Sequence, residues 1–311
     1  MTIEQCAEYL KASDRYLVFS HVRPDGDTLG SCAALVHALR RMGKTAYMFP
    51  NDEVTETYLP FVESYYAPAD YVQKVSVSVD VASENMLIGG NERKMDLSID
   101  HHPSNSHYAD NVCIYPERSS CGEIILEIIK ELAGSIDEEE AQLLYIAVST
   151  DTGCFCYSNT NSATFRAAAE LMDAGAKLPE LNQILFRKTS IARLRLEGMI
   201  YSGMTYHYNG LVSIATVTLD MMERAQATED DCSDLANLAG RAKDALVSVT
   251  IREIKPGVSK LSLRSSMPVN VSDICAQFGG GGHALAAGCT LQCDVEEAKE
   301  KILTAIEPQL P

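Results

Sequence analysis

Short apolar runs that end on an acid or an imidazole recur along the first half of this chain. YLVFS (16–20) leads into His21, VSVSVD (75–80) ends on Asp80, and MDLSID (95–100) ends on Asp100 and is followed by His101 and His102. Short runs of this length read as buried strands, and TAYMFP (45–50) reads as another. Helical patterns lie between and after them: LGSCAALVHALRRMG (29–43, ended by Gly43), CGEIILEIIKELAG (121–134), EEEAQLLYIAVSTD (138–151), SATFRAAAELMDAG (162–175) and LPELNQILFRK (178–188). Strands alternating with helices predict an α/β fold with a mainly parallel, doubly wound sheet covered on both faces. Ligands of such sheets gather beyond the carboxyl ends of the strands, which is where these acids and imidazoles stand.

The second half is built differently. After a helical connector, SIARLRLEGMIYSG (190–203), strands come in adjacent runs: LVSIATVTLD (211–220), then DALVSVTIREIKPGVSKLSLRSS (244–266), which turns back near Pro256-Gly257. Helices are expected at about 229–241 and at VEEAKEKILTAI (295–306). This pattern predicts a smaller α+β domain. A chain of 311 residues usually supports two cores. The expected division is 1–188, a helical linker at 189–203, and 204–311, with the functional site in the cleft between the domains.

A formal net charge of −17 opposes binding of a long polyanion, because affinity for extended nucleic acid comes mostly from Lys and Arg contacts to phosphate. A phosphate-bearing ligand should therefore be short, or be met by positive charge that the sequence does not encode. The N-terminus lacks a basic start followed by an apolar stretch, and no apolar run is long enough to span a bilayer, so a cytoplasmic protein without a membrane partner is expected. The ten cysteines include no C-x-x-C pair and read as reduced, packed thiols, Cys154 and Cys156 among them.

The chemistry concentrates in HVRPDGDTLGS (21–31). Pro24 favours extended backbone at Arg23, so His21, Asp25 and Asp27 can face one centre. With Asp80, Asp100, His101, His102 and Asp151 they form a set whose mutual repulsion and burial would cost several kcal/mol unless cations neutralise it. Two divalent metals would do so, and mixed His/Asp donors suit Mn²⁺ better than calcium or thiolate-seeking ions. A metal pair can also activate water for phosphoester hydrolysis. Each residue has a plainer reading alone: Asp27 as a cap of the helix beginning near Thr28, Asp80 and Asp100 as turn formers, and His101-His102 as a surface pair.

HVRPDGDTLGS, SVD (78–80), SIDHHPSN (98–105) and STDTGCFCYSNT (149–160) resemble, in order and spacing, the four motifs of the DHH phosphoesterase superfamily. The resemblance implies that His21, Asp25 and Asp80 hold one Mn²⁺ and that Asp27, Asp80, His101 and Asp151 hold the other, with Asp80 shared. It implies that His102 faces the scissile phosphate or protonates the leaving oxygen, and that Asp100 orients it.

In the second half, LRSS (263–266) and FGGGGHALAAG (278–288) stand out. Four successive glycines make neither a good strand nor a good helix, but they permit close backbone approach and offer free N–H groups to an anion. The segment resembles the DHHA1 domain, which implies that Arg264, Ser265, Gly280, Gly281, Gly282 and His283 hold the far part of a substrate. The two-domain length resembles the bacterial nano-RNase and pAp phosphatase group. Its members cleave very short RNAs, remove the 3′-phosphate of 3′-phosphoadenosine 5′-phosphate (pAp), and often form homodimers. Rival readings are a pApA or other linear cyclic-dinucleotide-product phosphodiesterase, a single-strand exonuclease, an inorganic pyrophosphatase, and a metal-free nucleotide sensor. The charge opposes the exonuclease, FGGGGH the pyrophosphatase, and the full ligand set the sensor.

Overall fold

The computed structural model describes residues 1–89, 93–232 and 235–311. The chain divides into two compact units, Met1–Lys188 and Thr189–Pro311. Among the described residues, no helix is long and apolar enough to cross a membrane.

The first unit holds five strands, β1 (Tyr16–Phe19), β2 (Ala46–Met48), β3 (Val75–Val79), β4 (Leu97–Asp100) and β5 (Asn111–Ile114), all parallel, in the order β2-β1-β3-β4-β5. This order reverses direction between β1 and β3, the switch point at which open α/β sheets leave a crevice for ligands. Its helices are α1 (Ile3–Ala12), α2 (Gly26–Arg41), α3 (Leu59–Val62), α4 (Cys121–Ala133), α5 (Glu138–Asp151), α6 (Ser162–Asp173) and α7 (Leu178–Asn182). The pattern expected to be one helix at 178–188 is α7 followed by a π-helical turn, Gln183–Arg187. The short helix α1, which Thr2 and Gln5 open with a capping box, and the strand β5, most of whose side chains are only partly buried, are not among the expected elements.

The sheet is covered on both faces, and the two covers differ in kind. Tyr16 and Val18 of β1, Val75, Val77 and Val79 of β3, and Leu97 and Ile99 of β4 join one large core with residues of α1, α2, α4, α5 and α6. Leu17 and Phe19 point the other way, into a small cluster closed by connecting segments through Val81, Leu87 and Met95, with Phe49, Tyr71 and Tyr108 packed on it. The period-2 alternation of VSVSVD explains this. Ser76 and Ser78 fall on the second face, where Tyr108 donates to Ser78 Oγ at 2.7 Å, and a serine-lined surface gives an amphipathic helix little apolar area to bury.

Helices α2 and α5 run antiparallel in close contact, since Gly26 packs on Thr150, Gly30 on Leu143 and Ala147, and Arg41 reaches Glu140. A Cβ on Gly30 would run into the Leu143 carbonyl oxygen, and one on Gly122 of α4 would lie 2.6 Å from Ala147 Cβ. These contacts bring the start of α2, the start of α4 and the end of α5 to one place.

The second unit contains α8 (Ile191–Gly203), β6 (Thr205–His207), β7 (Val212–Val217), α9 (Leu219–Ala225), β8 (Val247–Lys255), β9 (Val258–Ser265), α10 (Val271–Ala276), β10 (Gly281–His283), β11 (Ala286–Leu291) and α11 (Val295–Ile306). Its six-stranded mixed sheet has the order β10-β11-β9-β8-β7-β6. Three expectations are corrected here. The helix predicted as a linker packs inside this unit, with Leu196 and Ile200 in a core with Val217 and Met222. The stretch expected as a helix at 229–241 is a series of 3₁₀ turns at Asp230–Cys232, Leu235–Asn237 and Ala239–Arg241, with 233 and 234 outside the described residues. The glycine run does form a strand: β10 pairs antiparallel with β11, and that tertiary pairing overrides glycine's poor intrinsic propensity.

The close helix contact predicts that Gly30→Ala costs about 3 kcal/mol of unfolding free energy through overpacking. Gly198→Ala, in α8 with open space at the Cβ position, should instead gain about 0.5–1 kcal/mol from helix propensity. Urea denaturation of the two variants checks both signs.

Candidate metal centre

In the first turn after β1 the plainer reading of Asp27 as the helix cap does not hold. Asp25, not Asp27, caps α2, accepting from the amides of Asp27 and Thr28 at 3.0 and 3.1 Å. Asp27 lies inside the first helical turn, 1 % exposed, and crosses to the start of α4. There the amides of Cys121 and Gly122 donate to its two carboxylate oxygens at 2.7 and 2.9 Å, and Ser31 Oγ donates at 3.1 Å. An aspartate at a helix N-terminus is held by unpaired amides and by the dipole.

Asp80 follows β3 with a positive φ of 61°, a backbone state that costs about 1 kcal/mol and persists at sites where the surroundings enforce it. Its side chain is 3 % exposed, and the Oδ1 atom has no hydrogen-bond partner. Imidazoles approach it from three directions: His101 Nε2 at 3.4 Å, His102 Nδ1 at 3.5 Å and, on Oδ2, His21 Nε2 at 3.9 Å. His21 Nε2 also lies 3.8 Å from Asp25, and His101 Nε2 lies 3.8 Å from Asp27 and 3.6 Å from Asp151. Asp151 is the last residue of α5, where the helix dipole disfavours a negative charge.

The tautomers follow from the neighbours. His21 Nδ1 lies 2.8 Å from the Val22 carbonyl and His101 Nδ1 lies 3.2 Å from the Arg118 carbonyl. Each Nδ1–H donates there, leaving the Nε2 lone pair aimed at the carboxylates, which is the arrangement of metal-ligating histidines. His102 differs: its Nδ1 donates to Asp100 Oδ1 at 2.8 Å. Asp100, fully buried, also accepts from the amides of His101 and His102 and from Asn105 Nδ2 at 2.6 Å. The hydrogen bond to Asp100 raises the His102 pKa above the usual imidazole range. His102 is 39 % exposed, so its other ring nitrogen can reach a ligand.

The expected residues therefore form two overlapping donor sets, His21 with Asp25 and Asp80, and Asp27 with His101 and Asp151, with Asp80 also touching His101 and His102. Among the described residues, no Lys or Arg forms an ion pair with Asp25, Asp27, Asp80, Asp100 or Asp151. Burial, and then Asp27, push the Asp80 carboxyl up; burial, Asp151 and Asp25 do the same to Asp27; burial and Asp25 raise Asp151 to about 7. The opposite ends of α2 and α5 carry similar donor types, His37, Asp137 and Glu140, yet there Arg41 grips Glu140 with two bonds of 3.0 and 2.8 Å. A cationic side chain resolves the charge at that end. At the first end an unpartnered buried oxygen, excess negative charge and oriented imidazole nitrogens fit divalent metal ions.

The DHH family, N-terminal domain, matches residues 15–148, and the DHHA1 domain matches residues 209–310. The chain belongs to the DHH/DHHA1 family. Asp151 of this DHH chain lies just past the first match. The chain is 33 % identical over 309 residues, 98 % of its length and 93 % of the relative's, to the bifunctional oligoribonuclease and PAP phosphatase NrnA of Thermus thermophilus. The protein of the same name from Mycoplasma genitalium is 28 % identical over 306 residues, 93 % of this chain and 92 % of that one. The fold is that of an exopolyphosphatase-related protein from Bacteroides fragilis, with a TM-score of 0.88 at 24 % identity, over 98 % of this chain and 95 % of that one.

In the DHHA1 unit, Arg264 of β9 pairs across with Ala286 of β11, which pairs with His283 of β10. Residues in one cross-strand row share a face, so Arg264 and His283 stand about 10 Å apart over a floor made by Ala286. Arg264 has no carboxylate partner among the described residues, and its guanidinium donates to the Leu263 carbonyl at 3.0 Å. Ser265 Oγ donates to the Val269 carbonyl at 2.8 Å, which ties it to its own turn. The glycines divide. Gly280 and Gly282 leave no room for a Cβ against Gly288, Cys289 and Ala286, whereas Gly281 is open. Sequence reasoning missed Ala286, the Cys121 and Gly122 amides and the asparagines beside the acids. Of these, Asn105, Asn159 and Ala286 lay within stretches the sequence singled out.

The raised carboxyls give a pH signature. A carboxyl whose folded pKa exceeds its unfolded value near about 3.9 stabilises the fold fully below that value, and the contribution is lost as pH rises through the folded value, here about 7 for Asp151. Metal binding removes the penalty. The rise in Tm caused by Mn²⁺ should thus be larger at about pH 8 than at about pH 5.5 in protein stripped by chelator. Equal increments in thermal melts at the two pH values would contradict this assignment.

Proposed function

We propose that this protein is a divalent-metal-dependent phosphoesterase that hydrolyses very short oligoribonucleotides to mononucleotides and removes the 3′-phosphate of pAp, with Mn²⁺ as its metal. The observation that carries this reading is the unpartnered Oδ1 of buried Asp80 among imidazoles and carboxylates with which no Lys or Arg among the described residues forms an ion pair. His21, Asp25 and Asp80 would hold one ion, and Asp27, Asp80, His101 and Asp151 the other. When bound, such a pair supplies positive charge to the phosphoryl oxygens and acidifies water for attack on phosphorus.

The chain's own groups complete the chemistry. His102, its Nδ1 fixed by the hydrogen bond to Asp100, would contact the scissile phosphate and give a proton to the leaving oxygen. Asp100 keeps that ring in one orientation while its own charge is met by Asn105 and two amides. Arg264 and His283 hold the terminal nucleotide, Arg264 gripping phosphate with its planar fork. The names of the relatives, oligoribonuclease and PAP phosphatase, agree with a short substrate, as does the net charge of −17.

With Mn²⁺ present, kcat/KM should be highest for pAp and a 5′-phosphorylated diribonucleotide and should fall steeply for an RNA of about ten nucleotides. Equal or better turnover of the longer strand would favour an exonuclease instead. His102→Ala should lower kcat by about 10²- to 10⁴-fold with metal content unchanged; loss of metal from that variant would reassign His102 as a ligand. Arg264→Ala should raise KM with little effect on kcat.

A further inference from the structure

Three loops that carry the acids are each tied by one asparagine side chain. Asn51, 4 % exposed at the end of β2, donates to Ser20 Oγ at 3.0 Å and to the His21 carbonyl at 3.1 Å. Its own oxygen accepts from the Glu53 amide at 2.9 Å, and the Glu53 carboxylate accepts from the Arg23 amide at 2.6 Å. Asn51 thus holds the turn from His21 towards Asp25. Asn105 joins the Val81 carbonyl to Asp100. Asn159 donates to the Ser119 carbonyl at 3.0 Å and to the Asp151 carbonyl at 3.1 Å.

The Asn159 bridge joins two segments that together position Asp27, His101 and Asp151. Arg118, whose carbonyl orients His101, and Cys121 and Gly122, whose amides hold Asp27, all flank Ser119. The chain reaches back from Asp151 to this bridge through Gly153, Cys154 and Phe155, three successive residues with φ between 54° and 64°. Two of those are not glycine; hydrogen bonds from the Cys154 amide to the Ser149 carbonyl at 2.7 Å and from the Phe155 amide to Thr152 Oγ1 at 3.2 Å hold the bend, and Asn159 fixes it to the neighbouring segment. A neutral amide can do this without adding positive charge. A lysine or arginine in its place would neutralise the carboxylates and compete with a metal.

We propose that Asn51 and Asn159 are positioning residues that separately set the affinities of the two metal sites, Asn51 for the site of His21 and Asp25 and Asn159 for the site of Asp27, His101 and Asp151. The proposal rests on the two-metal reading above. It is tested on the full-length chain, stripped by chelator and titrated with Mn²⁺ by calorimetry. Asp25→Asn and Asp151→Asn serve as references that assign each binding step to its site.

Asn159→Ala should weaken by about ten- to a hundredfold the step that Asp151→Asn weakens, and leave the other within about twofold. Asn51→Ala should do the reverse. Excess Mn²⁺ should restore most of the turnover of Asn159→Ala, which it would not do for a general folding defect. Because Asn159 is exposed, that variant carries the test even where loss of buried Asn51 prevents folding. Two intact steps in Asn159→Ala, or equal weakening of both, would overturn the proposal and leave the two-metal reading standing. Absence of Mn²⁺ uptake by the unmutated chain would overturn both.

Discussion

Negative charge without a protein counter-charge is the constraint on which the metal-binding unit of this protein depends. Asp25, Asp27, Asp80, Asp100 and Asp151 meet histidines and backbone amides but no lysine or arginine among the described residues. Each aspartate is made tolerable differently. Asp27 takes the amides at the start of α4, Asp100 takes two amides, an asparagine and His102, and Asp25 caps its own helix. Asp80 has no such relief on one oxygen. A site of this kind is unfavourable for the protein by itself and becomes favourable when divalent ions enter, which couples metal uptake to stability.

The architecture follows from that requirement. The acids come from segments far apart in the chain, so they can meet only where β1, β3 and β4 end together and where α2, α4 and α5 converge. Glycines at 26, 30 and 122 permit the helix approach. The parallel sheet supplies the common edge, and its change of direction between β1 and β3 opens space there. One face of the sheet is apolar and takes helices. The other carries Ser76, Ser78, Ser98 and Asp100 beside Leu17 and Phe19 and takes connecting segments that bring both apolar residues and polar partners, so that Asp100 is both buried and hydrogen-bonded.

The second unit solves a different problem with plainer means. Its mixed sheet places an arginine and a histidine on one face with an alanine between them. The glycines before His283 serve mainly to let β10 lie close against β11, since Gly280 and Gly282 are the ones without room for a side chain. Glycine's permissiveness here is used for close pairing as much as for anion contact.

The sequence by itself determined the strands YLVFS, VSVSVD and MDLSID, most of the helices, the hairpin at Pro256-Gly257 and the identity of the acids and imidazoles, because period, length and local motif are properties of contiguous residues. It did not single out Asp25 as the cap of α2, offering Asp27 as the plainer alternative, placed a helix over the 3₁₀ turns near 229–241, and gave the glycine run no strand. For the cap and the glycine run the deciding partner is distant: the start of α4 draws Asp27 away, and β11 supplies β10 with its hydrogen bonds. The roles of Asn51 and Asn159 were hidden for the same reason, since each acts by bridging carbonyls that only the folded chain brings within reach. Only the tertiary structure decided these, because hydrogen bonds and charge interactions act through distance in space, which sequence separation does not encode.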